Sequence, residues 1–267
     1  MSPLSSPQDT AAGLARGAVQ WLAGWWRTIH LAALLSVLAL SPSSYRAGNR
    51  RAMAKHIYLG TAQSLLWFTL LSLLISIVVI RIVLVTALSY GLTQYALEMV
   101  VRVLVLELIP LAAALFAALR CTMPLAEEVA TLRTGGGWDA LAREGIDPLR
   151  QEVLPRVVAG SFCGLMLAAV SCVVTLVVAY LSVYGLTSAG FAAYTHTVGQ
   201  VFSPAVSLIL LLKILLLGLT VALMPIASVL DAVPRRRANT SAELQGLVRM
   251  FMVIVIIEAA SLVGNYY

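Results

Sequence analysis

Five runs of apolar side chains, each long enough to cross a lipid bilayer, limit what this chain can fold into more than any motif does. They cover about Ile57 to Leu88, Val100 to Leu119, Val157 to Val183, Phe202 to Leu230 and Leu247 to Val263. About 20 consecutive apolar residues reach across the hydrocarbon core. No water is available there to satisfy backbone N–H and C=O groups, so each run must close its own hydrogen bonds as a helix. The expectation is an all-α membrane protein with five transmembrane helices. Composition agrees, since 60% of residues are hydrophobic, only 11% are charged, and the mean hydropathy is +0.93.

A sixth apolar stretch, Thr28 to Leu40, has 13 residues and is short for a crossing. Trp21, Trp25 and Trp26 precede it, and such rings favour the headgroup level. Residues 10 to 40 are therefore expected to form an interfacial helix. A cleaved signal peptide is the competing reading, but the apolar run comes late and no basic cluster precedes it. Residues 1–44 are read as a tail with this helix, and 45–267 as one membrane domain.

Basic residues set the orientation. Arg46, Arg50, Arg51 and Lys55 precede span one, Arg133, Arg143, Arg150 and Arg156 lie between spans two and three, and Arg235, Arg236 and Arg237 lie between spans four and five. Residues 184 to 201 and the tail after Val263 carry no Lys or Arg. The positive-inside rule then places the N-terminus in the cytoplasm and the C-terminus outside, as an odd number of spans requires.

The net charge of +6 does not indicate nucleic acid, because the basic residues sit in short clusters beside apolar runs without interleaved aromatics. Cys121, Cys163 and Cys172 have no metal-ligand spacing and read as packing residues. His30, His56 and His196 are scattered, so neither a metal site nor a bound cofactor is expected. An intramembrane enzyme is a poor reading without a His-Glu-x-x-His motif or paired intramembrane aspartates.

The most polar long stretch, WDALAREGIDPLRQEVLPRV (138–157), separates spans two and three. Before it, Leu125, Val129 and Leu132 fall on one helical face, so span two should continue as an amphipathic helix until Gly135, Gly136 and Gly137 break it. Trp138 to Glu144 allows one or two turns, Gly145 suits a helix C-terminus, and Asp147-Pro148 suits an N-cap followed by Pro at N1. Pro155 then redirects the chain into span three. The expected product is a short, stiff elbow.

These residues carry a resemblance. Asp139-Ala140-Leu141, Gly145-Ile146-Asp147-Pro148 and Pro155-Arg156, with Glu107, Leu108 and Pro110 in span two, resemble the MlaE/YrbE permease family over most of residues 45–267. That resemblance implies the membrane subunit of an ABC transporter that moves phospholipid or related lipid between the inner membrane and a periplasmic MCE-domain protein. It further implies a cytoplasmic ABC ATPase subunit as partner, a second permease copy in a homodimer or heterodimer, and a cytoplasmic coupling helix within residues 125–150. The coupling residues it points to are Glu128, Trp138, Asp139, Leu141, Gly145, Asp147 and Pro148. The chain departs from the family where Gly135-Gly136-Gly137-Trp138 replaces a Thr-Glu-Gln run and where LRCTMP follows span two. The glycine triplet lacks the Lys and Ser/Thr of a nucleotide-binding loop, so ATP hydrolysis is expected on another chain. A membrane scaffold that anchors such partners without transporting is the alternative.

Four ionisable residues fall inside the apolar runs: Arg81, Glu107, Lys213 and Glu258. Each costs about 2.5 to 3.5 kcal/mol at a helix centre, so they should face protein or water. Counted from the outer ends they fall at comparable depth, and Lys213 is expected to bridge Glu107 and Glu258, as a clamp or as part of a lipid path.

Overall fold

The computed structural model describes residues 23–31, 33–35, 37–38, 41, 47–231 and 240–266. Among them it contains helices and no strands. Five helical stretches are long and apolar enough to cross a membrane: Met53–Ser89, Tyr95–Thr134, Leu149–Tyr184, Pro204–Leu230 and Gly246–Asn265. They match the five apolar runs, but spans two and three extend well past the runs towards the elbow. Hydropathy ends where the side chains turn polar, whereas the helix continues as long as its backbone bonds are satisfied.

Span three is the axis of the bundle, packed against spans one, two and four, and span five lies on span four. Half of the apolar stretch of spans two and three is buried, against 22% for spans one and five. The outer two spans therefore present apolar faces such as Leu66, Leu70, Leu74, Phe251, Val255 and Ile256 outwards. In water such faces would be untenable; in lipid they are the ordinary surface.

Small residues bring spans two, three and four together. A Cβ on Gly160 would lie 2.8 Å from Thr122 Cγ2 and 3.2 Å from Ala222 Cβ, and one on Gly164 would lie 3.4 Å from Gly218 Cα. Membrane helices gain their association from this close packing, since lipid tails are as apolar as leucine. Gly160→Val is expected to lower stability by about 1 to 3 kcal/mol, the usual cost of overpacking. A thermal melt of the purified variant in detergent checks it, and an unchanged midpoint contradicts the close approach.

The N-terminal segment is helical where described between 23 and 38, and its side chains sort by face. Thr28, Leu35 and Leu38 are buried, the two leucines in the cluster with Met53, Val129, Leu154 and Ile226, while Trp26, Ile29, Leu34 and Val37 point away. Residues 1–22, which include residues 10–22 of the expected interfacial helix, lie outside the described residues, as does the 232–239 segment with Arg235, Arg236 and Arg237.

The charge-free connection after span three folds rather than loops. A 3-10 turn, Ser188–Gly190, leads into the helix Phe191–Val201. Tyr194 fastens that helix by donating its hydroxyl to the Leu176 carbonyl at 2.7 Å, and burial pushes its phenol up to about 12.

Candidate functional site

Span two is irregular where its glutamate sits. Val101–Leu108 is a π-helical stretch, and Pro110 follows it in the next α-helical segment, Ile109–Ala117. Proline has no N–H, so it leaves nothing for the carbonyl four residues back, that of Leu106, or five back, that of Val105. Both carbonyls are taken up from neighbouring spans. Lys213 Nζ, from span four, donates to Leu106 O at 3.0 Å, and the Cys172 thiol, from span three, donates to Val105 O at 3.6 Å. A π-bulge with rerouted backbone bonds is a common mark of a functional position in a helix.

Lys213 is 2% exposed and sits at the centre of the site. Its ammonium contacts Glu107 Oε2 on span two and Glu258 Oε1 on span five at 2.8 Å. Asn265, two turns beyond Glu258, donates to Glu107 Oε1 at 3.3 Å. Three spans are thus joined through one cation, as the sequence predicted for Glu107, Lys213 and Glu258. Arg81 is different: it lies on the exposed face of span one and makes no ion pair with another described residue. Depth alone suggested that it belongs with the others, but depth does not fix rotation about the helix axis. Asn265 was missed, because a single amide near the end of an apolar run carries no pattern.

The second polar centre lies at the elbow. The helix Met123–Thr134 ends at Gly135, and the short helix Gly137–Arg143 begins after Gly136. Gly136 and Gly145 both have positive φ, 75° and 73°, which residues with a Cβ resist. At Gly145 the Ile146 N–H bonds back to Leu141 O at 3.0 Å and the Gly145 N–H to Ala142 O at 3.2 Å, the Schellman closure of a helix end. Asp147 Oδ1 then accepts from the Leu149 N–H at 3.0 Å, capping the next helix with Pro148 in its first turn. The breaks read at Gly135–Gly137, Gly145 and Asp147-Pro148 are found, whereas Pro155, expected to redirect the chain, lies inside the continuous helical stretch Leu149–Tyr184.

The elbow is locked onto the bundle by two arginines. Arg156, 7% exposed, bonds Glu128 Oε2 at 3.1 Å, Glu152 Oε2 at 2.6 Å and the Glu152 carbonyl at 2.7 Å, tying the end of span two to the start of span three. Arg133 donates to the Val229 and Leu230 carbonyls at 2.9 and 2.6 Å. These are among the last carbonyls of the span-four helix, which have no partners of their own in the helix. Neither contact is legible in the sequence, where Arg133 and Arg156 count as topology signals and Arg156 also as part of the Pro155-Arg156 match. Trp138 is half-buried against the chain's own core, on the cluster that includes Val129, Leu154 and Ile226. Asp139, Ala140, Ala142, Arg143 and Glu144 form the exposed face of the short helix.

The cysteines need one correction. Cys121 and Cys163 bring their sulfurs into contact across spans two and three, so only Cys172, free and buried, is a solitary packing residue. Among the described residues no group of His, Cys, Asp or Glu is arranged to hold a metal ion.

No curated protein matches the sequence. A family model described as Permease MlaE matches residues 53–263, which takes in the first four spans, all but the last two residues of the fifth, the elbow, and Glu107, Lys213 and Glu258. The chain therefore belongs to the MlaE permease family, multi-pass membrane permeases of lipid ABC transporters that are not themselves catalytic.

Proposed function

We propose that this chain is the permease subunit of an ABC transporter that moves phospholipid or a related lipid between the inner membrane and a periplasmic MCE-domain partner. In this reading it works beside a second permease copy, with ATP hydrolysed by a separate cytoplasmic subunit. Family membership carries the general reading; the observation that supports the finer one is span four. Its end is gripped by Arg133 from the elbow region and its middle carries Lys213. A displacement of the elbow by an ATPase is thereby delivered to the helix that holds the intramembrane cluster. Packed helices transmit such displacements because cores are close to incompressible. The coupling surface is the elbow face around Asp139, with Gly145, Asp147 and Pro148 fixing its shape and Glu128 holding it through Arg156. The elbow lies in the cytoplasm and residues 184–201 outside.

Expressed with the products of its neighbouring genes, the tagged chain should bring down one ATPase and one MCE-domain protein. A cysteine at position 187 should react with an impermeant thiol reagent applied from outside. Copurification of neither partner, or labelling at position 187 from the cytoplasmic side only, contradicts the proposal.

A further inference from the structure

We infer that the Glu107–Lys213–Glu258 cluster binds one proton, held as a carboxylic acid on Glu258, so that the site is electrically neutral. Hydrogen-bond accounting leads there. An ammonium has three N–H donors, and those of Lys213 are all committed, to Leu106 O, Glu107 Oε2 and Glu258 Oε1. Glu107 is satisfied at both oxygens, by Lys213 and by the Asn265 amide. Two buried oxygens remain without a donor, Glu258 Oε2 and Asn265 Oδ1. A deprotonated Glu258 would leave half of an anionic carboxylate buried and unbonded, the costliest arrangement for such a group. One proton on Glu258 removes that charge.

The charge count points the same way. Lys213 is the only cation that contacts the cluster among the described residues, and its single ammonium faces both carboxyl groups. Asn265 on span five donates to Glu107 and contacts Ser261, and the Cys172 thiol on span three is committed to the Val105 carbonyl beside the Lys213 contact; none of these side chains carries a charge. Two carboxylates with one ammonium would bury a net negative charge among apolar helices, and carboxyl pairs in such surroundings share a proton instead. The inference concerns the permease alone and is independent of what it carries.

Infrared difference spectroscopy of the purified full-length chain in lipid nanodiscs tests it. At neutral pH the wild-type protein should show one protonated-carboxyl C=O stretch that shifts in heavy water. Glu258→Gln and Glu107→Gln should each abolish it, since either leaves one carboxylate to match Lys213. If one glutamine variant fails to fold, the other still decides. No such band in the wild type, or a band that survives both glutamine variants, overturns the assignment. A wild-type protein without the band whose melting point rises on adding sodium or potassium salt, relative to a bulky organic cation, also overturns it, by showing that a metal cation supplies the balancing charge.

Discussion

Lys213→Ala is expected to lower stability by about 3 to 5 kcal/mol, the usual cost of removing one partner from a buried ion pair. The loss has three physical parts. Glu107 keeps a charge with no cation beside it, Glu258 Oε1 loses its donor, and Leu106 is left with a carbonyl that Pro110 cannot satisfy. Most of the loss is the stranded charge, so removing all charge together should recover it. The triple variant Glu107→Gln, Lys213→Met, Glu258→Gln should melt near the wild type, since replacing a buried ionic set by neutral groups is often neutral or stabilising. Chemical denaturation in detergent checks both. A single variant as stable as the wild type would show that the contacts carry no energy. Restored stability with lost lipid transfer in the triple variant would show that the charges serve transport beyond holding helices together.

Ala140→Arg should abolish association with the ATPase while leaving the permease as stable as before. Ala140 lies on the exposed face of the elbow helix, where a long cation can extend into water. In a protein interface, an uncompensated charge forced into a packed centre costs several kcal/mol. Trp138→Ala should behave in the opposite way. The indole is half-buried on the chain's own core, so its removal should destabilise the elbow by about 1 to 3 kcal/mol, less than full burial would give. The resemblance puts Trp138 and Leu141 among the coupling residues, and in the structure the Trp138 side chain also packs against the chain's own core. Melting points and pull-down yields, measured on the same two preparations, separate these roles. Retained ATPase binding by Ala140→Arg would place the docking surface elsewhere.

The fold was legible because the bilayer permits so few solutions. Once a run of apolar residues exceeds the membrane thickness, backbone hydrogen bonding leaves only a helix, and the five runs required no other information. The elbow was legible for a different reason. Gly145, Asp147 and Pro148 each have a local conformational preference that acts without help from distant residues. The cluster was legible only in part. Burial cost told that Glu107, Lys213 and Glu258 need company, but not that Arg81 faces outwards, because helix rotation is set by packing. The least legible features were contacts between spans, such as Arg133 on the end of span four and Asn265 on Glu107. An arginine near a membrane surface satisfies the positive-inside rule whether or not it grips a neighbouring helix, so its sequence position holds no trace of the second role.

The most direct measurement is lipid transfer by the reconstituted assembly. The permease, its ATPase and its MCE-domain partner are placed in vesicles that contain labelled phospholipid, and label on the soluble part of the MCE protein is followed with and without ATP. Movement of label that requires ATP, and that is lost with Ala140→Arg while the same variant still inserts and folds, is the result expected of a lipid permease driven through its elbow. Assembly of all three proteins with ATP hydrolysed and no lipid moved would contradict it, and would leave the chain as a scaffold for its partners.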